Sequence, residues 1–420
     1  MLKRDRRCSR EILTTEGYIR YNRYRMYAVN DESHKDSIDK CIELYGSKSV
    51  YPMDAFLGIE RTPFKMTVDM ALRIARIGAT SSSYEEASQR LWDDFELKIS
   101  DDTIRKVVDY VSRIVLEEDI RLTKKAVEDY DISDMRAAKR GRRPKDGYTL
   151  YVQADGAMFN TRPGSRQSKS EDRKKEQSSW KENKLGLVFR SDDLQELKDK
   201  DENGDPIYRI GKREYICTTQ GIDTFRDRLL YIMINNGLSD ASNVVMISDG
   251  AVWLRNMRKQ LFPYAVQILD LFHLKENIMA FGQYIYHNDK SQYYPWWKAV
   301  CKQLEDGEWR AVLKREEISE YKTEKNTPPG VVNLYNYIYN NREFINYPEY
   351  RANGYFVGSG AIESGNKTVM QERLKLSGMK WMVDKAESLL ALRAKLKSDL
   401  WDENVVPLVR ANYASSETGN

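Results

Sequence analysis

Apolar positions recur along this chain with two different periods, and the change of period separates a helical front from an α/β body. From Thr67 to Ile77 the spacing of Val68, Ala71, Leu72 and Ala75 predicts an amphipathic helix. Ser81-Ser82-Ser83 supplies cap residues for a second, running from Tyr84 to about Phe95. A turn over Glu96 to Ser100 then leads into a helix opened by Ser100 or Asp101, with Ile104, Val107, Val108, Val111 and Val115 on one stripe. Two helices and a short turn have helix-turn-helix proportions, and any αα-hairpin shares them.

From Tyr148 onward the runs become short, β-branched and continuous, as buried strands require. Tyr148 to Ala154 closes on Asp155-Gly156, Val244 to Ser248 on Asp249-Gly250, and Ala265 to Leu269 on Asp270. Leu185 to Phe189 and Tyr215 to Thr219 complete the strands, with a polar loop predicted over Asp192 to Pro206. A helix is predicted from Thr224 to Asn236, turning Phe225, Leu229, Leu230, Ile232 and Met233 inward. Three strands, helix, strand, helix, strand is the order of an RNase H-like mixed sheet, and other mixed α/β domains share it. Strands that end on acids put carboxylates where open α/β sheets keep their sites; Asp-Gly is equally a turn signal. An aromatic-rich helical stretch over 274–356 follows, with Trp296 and Trp297 either in its core or free to stack on a base. Residues 357–402 read as helices returning to the core, their Ala386 to Leu396 stripe packing on the sheet, and 403–420 as a loose tail.

At 420 residues with 31% charged side chains, the chain is long enough for two or three domains. It has neither a run of 18 apolar residues nor an apolar leader after Met1, so a soluble, cytoplasmic, nucleoid-associated protein with no membrane partner is expected. Cys8, Cys41, Cys217 and Cys301 form no close pair, which argues against a disulfide framework or a zinc site. The net charge is only +4, so the placement of the basic residues matters more than their excess. They gather in an N-terminal arm over 1–60, interleaved with tyrosines, and in a linker over 136–147 containing Arg140, Arg142 and Arg143. The arm reads as a phosphate-contacting tail or as strand faces with tyrosines packed inside, the linker as a minor-groove hook or a solvated connection. Arg105 and Lys106, near the start of the second helix of the 61–135 helical region, are candidate DNA contacts.

Three longer motifs go further. Gln153-Ala154-Asp155-Gly156, then Ile247-Ser248-Asp249-Gly250-Ala251-Val252-Trp253 with Ile268-Leu269-Asp270-Leu271-Phe272-His273, and last Gly358-Ser359-Gly360-Ala361-Ile362-Glu363-Ser364-Gly365-Asn366-Lys367, resemble the acidic motifs of bacterial insertion-sequence transposases of the Kra type. These are DDE enzymes related to Lre-type and eukaryotic Mutator-like transposases. The resemblance runs from about Tyr51 to about Asp402. It implies an RNase H-like catalytic domain over 148–273 and 357–402, a helical insertion before the last acid, and Asp155, Asp249 and Glu363 as a metal-binding triad. Two Mg²⁺ ions, with Mn²⁺ as substitute, would stabilise attacking and leaving oxygens, and carboxylates are the hard ligands they prefer. His273 is expected beside the triad with Asp270 orienting it, and Lys367, Arg373 and Lys375 are expected to contact phosphates. The implied partners are the terminal inverted repeats, target DNA and at least one further copy of the chain. A DNA-binding descendant that no longer cuts, or a nuclease that does not join strands, would carry the same motifs.

Overall fold

The computed structural model describes residues 2–28, 49–57, 59, 64–130, 147–162, 179–200, 206–322, 326–358 and 360–415. Arg140, Arg142 and Arg143, with most of the basic linker, lie outside the described residues. The chain forms two compact units, one of Met1–Ile120, Thr161–Ser178 and Glu372–Asn420, the other of Arg121–Asn160 and Ser179–Gln371.

In the first unit the basic arm is a hairpin. Strand β1 (Leu2–Thr14) pairs antiparallel with β2 (Gly17–Ala28), to which β3 (Ser49–Val50) adds. A short helix α1 (Pro52–Phe56) carries Asp54, 1% exposed, and its carboxylate accepts from Arg10, Arg23 and Tyr21. A buried carboxylate needs such partners, so part of the arm's positive charge serves its own fold. Helices α2 (Val68–Thr80), α3 (Tyr84–Phe95) and α4 (Asp101–Asp129) follow. Thr67 caps the first through Met70 N, Ser83 the second through Glu86 N at 3.0 Å, and Ser100 Oγ accepts from Thr103 N at 3.3 Å at the third.

The C-terminal stretch departs from expectation. The helix Val383–Lys397 packs on α2 within this unit, where it was expected to cover the sheet. Ala386 through Lys395 are buried, a face far wider than one sheet-facing stripe needs, and Arg393 donates to the Ala79 carbonyl that ends α2. The expected loose tail is helical as far as Ser415. Its Val409 and Tyr413, four apart, are both buried, and the Tyr413 hydroxyl donates to the Met66 carbonyl at 2.9 Å.

The second unit is built on a five-stranded mixed sheet. Its strands are β4 (Thr149–Asn160), β5 (Trp180–Arg190), β8 (Glu214–Thr218), β9 (Asn243–Ser248) and β10 (Val266–Leu269). They lie in the order β10-β9-β4-β5-β8, with β5 antiparallel to both of its neighbours and the other pairings parallel. The predicted polar loop is partly a hairpin of β6 (Leu194–Lys200) and β7 (Pro206–Ile210). Its mostly polar, exposed side chains gave no alternation to read. Helix α5 (Ile222–Asn235) covers one face, packing Phe225, Leu229 and Ile232 with Leu150, Val152, Val188 and Val244 of the strands. Leu122, Ala126 and Val127, from the end of α4 that belongs to this second unit, join the same core.

After α6 (Val252–Leu261) and β10 come the helices of the predicted insertion: α7 (Leu271–Ile285), α8 (Lys290–Glu305), α9 (Leu334–Asn341) and α10 (Tyr347–Ala352). They fasten to the sheet edge through tyrosine hydroxyls. Tyr347 donates to the Leu269 carbonyl at 3.0 Å and Tyr350 to that of Gln267 at 3.2 Å, satisfying acceptors that an edge strand leaves open. Trp296 is 7% exposed among Phe281 and Tyr286, so the core reading holds for it, and Trp297 stacks on Tyr294 while its indole donates to the Lys275 carbonyl.

Glu305 ties three of these helices together, accepting from Lys275 of α7 at 2.6 Å and Arg351 of α10 at 2.9 Å. Burial alone would raise this carboxyl, but the two cations overcome it and hold it below its ordinary 4.5. Glu305→Gln should therefore lower stability by about 1–2 kcal/mol at neutral pH. A group with a depressed native pKa contributes stability above its unfolded value, so thermal unfolding should show that gap closing as pH falls below 4.5. A gap that widens on acidification would refute the pairing.

Candidate active site

The parallel ladder between β4 and β9 ends at Gln153↔Ile247. Asp155 and Asp249 each lie two residues beyond that pair, Asp155 still within β4 and on the face of Gln153, Asp249 just past the end of β9. Asp155-Gly156, a turn signal in the sequence, lies inside a strand: β4 continues against β5, pairing Asp155 with Leu185 and Gly156 with Lys184. The turn reading holds only for Asp249, where Gly250 takes φ +90° and Asp249 Oδ1 accepts from Ala251 N at 2.9 Å. The Asp249 carbonyl is held by the Tyr337 hydroxyl at 2.6 Å.

Glu363 arrives from the far end of the unit on α11 (Gly360–Gly365), which continues as a π-helical turn over Asn366–Gln371. Two side chains attach this helix to β4. Gln153, 2% exposed, accepts from Ile362 N at 3.0 Å and donates to the Gly358 carbonyl at 3.3 Å. The buried Asn366 amide donates to Asp155 Oδ2. Gly365 lets the helix lie close, since a Cβ there would meet Tyr215 Cε1 at 2.6 Å. Gln153, Asn366 and Gly365 fall within the acidic motifs, but nothing local marks them as positioning residues, because each acts through a partner distant along the chain. Gln153→Leu leaves the Ile362 N–H and the Gly358 carbonyl without these bonds. It should cost about 2–3 kcal/mol by denaturant unfolding, and a variant as stable as the parent would show that the amide is dispensable.

Asp270 follows β10 and caps α7, its Oδ1 accepting from Phe272 N at 2.9 Å. Its other oxygen lies 3.7 Å from His273 Nε2, which is 3.9 Å from Glu363 Oε1, while His273 Nδ1 is 3.1 Å from Glu276. Ligand atoms of Asp270, His273 and Glu363 all lie within 4.8 Å of one another. Burial would lower the His273 pKa, but the surrounding carboxylates of Asp270, Glu276 and Glu363 raise it. The Asp155 carboxyl is pushed up, first by burial and then by the charge of Asp249, against hydrogen bonds from Gly156 and Asn366. Crowded acids of this kind favour a cation among them.

The expected DNA contacts divide. Lys367 and Lys375 are exposed. Arg105 and Lys106 are exposed as well but paired, both with Asp102 and Arg105 also with Asp109. Arg373 corrects the sequence reading: it is 1% exposed, because its helix packs against the Ser82 carbonyl and Tyr84 rather than facing solvent.

Fold and site together define a mixed α/β protein with one aspartate within a strand of a five-stranded sheet, a second just past the end of the adjacent parallel strand, and a third acid brought in by a late helix. The chain matches the model of the uncharacterised protein family UPF0236 over residues 4–398 and belongs to that family. No curated protein matches it. Among the described residues no helix is long and apolar enough to cross a membrane.

Proposed function

We propose that this protein is a DDE transposase that binds the ends of its own mobile element and cleaves and joins DNA strands. The observation carrying this reading is that Asp155 and Asp249 each follow by two residues the last pair of the parallel β4–β9 ladder, Gln153↔Ile247, with the Glu363 helix attached to the Asp155 strand through Gln153 and Asn366. In chain order the strands lie 3-2-1-4-5 with only the second antiparallel, which supports an RNase H-like sheet. Asp155, Asp249 and Glu363 would hold Mg²⁺, or Mn²⁺ in its place, and His273 lies beside Glu363. The metal would stabilise charge on the attacking and leaving oxygens of an in-line phosphodiester displacement. Asn366 and Tyr337 fix the first two acids, and Gln153 fixes the helix of the third, so the site is held before substrate arrives. Lys367 and Lys375, with Arg105 and Lys106, are free to meet phosphates, the latter two by exchanging exposed ion pairs worth only about 0–1 kcal/mol. Two DNA ends and a target call for at least a dimer.

The test incubates the full chain with labelled DNA carrying the inverted repeats that flank its gene, in Mg²⁺ or in EDTA. Joined products that require Mg²⁺ support the reading. Cleavage without joining would leave a nuclease, and end binding without cleavage a DNA-binding protein; either outcome sinks the proposal.

A further inference from the structure

A cavity of ≈ 370 Å³ lies within the first unit, lined by the start of α3, the first turns of α4, Arg162, and residues from Arg373 to Lys385. Arg373 is buried at its wall. One nitrogen, Nη1, donates to the Ser82 carbonyl at 2.6 Å. The other edge, Nε and Nη2, has no well-aligned acceptor among the described residues, the Tyr84 side chain meeting the guanidinium through its ring face. These two N–H groups point the same way from the planar guanidinium, and that fork grips a phosphate or carboxylate with two parallel bonds. The indole Nε1 of Trp381, whose ring lies 5.1 Å from the guanidinium, is also buried without an acceptor.

Unmatched donors are expensive to bury, and a buried cation without a counter-ion more so. Burial pushes the Arg373 pKa down, yet a guanidinium stays charged at neutral pH. Tyr84, whose ring lies 4.4 Å away, brings no negative charge, because burial raises its phenol. The lining has five basic side chains against three acidic ones. Of those acids Asp109 is engaged by Arg105 at 3.6 Å and Lys385 at 3.4 Å, while Glu85 and Asp101 are exposed. Met379, Met382 and the Tyr84 ring add apolar wall, and the volume suits a small organic ligand.

We infer that this cavity binds a nucleotide, its phosphate oxygens on the free edge of Arg373 and the Trp381 N–H, and its base against the apolar wall. A nucleotide within a DNA strand and a free nucleotide share that chemistry; the strand as source rests on the transposase reading, whereas the phosphate site does not.

The test titrates the full chain, in EDTA so that no metal chemistry is needed, with inorganic phosphate, thymidine 5′-monophosphate and a short oligothymidylate, reading heat and tryptophan fluorescence. Trp381→Phe removes one donor and keeps the ring, and Arg373→Lys removes the fork. Each should weaken nucleotide binding by about tenfold or more, while Asp249→Asn should not. Tighter binding of the oligonucleotide identifies a strand, and equal binding of the monophosphate a free nucleotide; both support the site. Phosphate binding as well as the nucleotide, no binding at millimolar ligand, or unchanged affinity in Trp381→Phe would overturn it. Should Arg373→Lys fail to fold, Trp381→Phe decides alone. Nucleotide binding by a parent chain that joins no strands in Mg²⁺ would sink the transposase reading and leave this one standing.

Discussion

Asp249→Asn should abolish Mg²⁺-dependent strand cleavage, by about 10³-fold or more, while leaving the fold and DNA binding as they were. The size follows from the charge removed. A carboxylate holding a metal against developing negative charge contributes several kcal/mol to the transition state, and each ~1.4 kcal/mol is a factor of ten. Selectivity follows from the local hydrogen bonds. Asp249 Oδ1 accepts from Ala251 N and its carbonyl from Tyr337, and an asparagine can keep both. Only the carboxylate's charge is lost, so the melting temperature should not fall. Asp155→Asn is a less clean probe, because Asp155 Oδ2 accepts from the Asn366 amide and a new amide nitrogen there would face a donor. Cleavage assays beside end-binding assays check the prediction; an Asp249→Asn protein that still cuts within tenfold of the parent would remove Asp249 from the chemistry.

What was legible in the sequence is what local pattern controls. Val244–Ser248 and Ala265–Leu269 read as strands ending on acids because an uninterrupted β-branched run has few other uses, and β9 and β10 are found there. Ser83 as a helix cap was legible for the same reason. The partners of those elements were not. The Gln153 side chain is defined by backbone groups at Gly358 and Ile362, and no periodicity links positions that far apart. Asp155-Gly156 reads equally as a strand end or a turn because the strand that continues its ladder, from Trp180, is specified elsewhere in the chain. Arg373 reads as a phosphate-contacting cation because sequence does not say which face of a short helix is covered, and here the covering comes from Ser82 and Tyr84. The same ignorance of partners placed the Val383–Lys397 helix on the sheet when it packs on α2. Acids were therefore easier to find than the groups that position them.

Gly365→Ala tests that positioning separately from the charge. Gly365 sits two residues after Glu363 and one before Asn366, where α11 passes over β4 and β5 with Tyr215 of β8 close by. A methyl there would meet Tyr215 Cε1 at 2.6 Å and Leu185 Cδ2 at 3.2 Å, and both neighbours are buried in the sheet unit, at 5% and 0% exposure. Neither can swing into solvent, so the helix must lift. Overpacking of this kind costs about 1–3 kcal/mol, which a domain of this size survives. Lifting α11 moves Glu363 and the Asn366 amide together, and a misplacement of about 1 Å at a reacting site lowers rates by about 10²-fold. The expected result is a folded, DNA-binding protein with cleavage reduced by about that factor and a modest loss of melting temperature. Adding Tyr215→Leu removes the ring from the collision, so the double variant should recover part of the lost activity, a coupling that additive effects would not give. Full activity in Gly365→Ala alone, or no recovery in the double variant, would show that the close approach of this helix does not position the third acid.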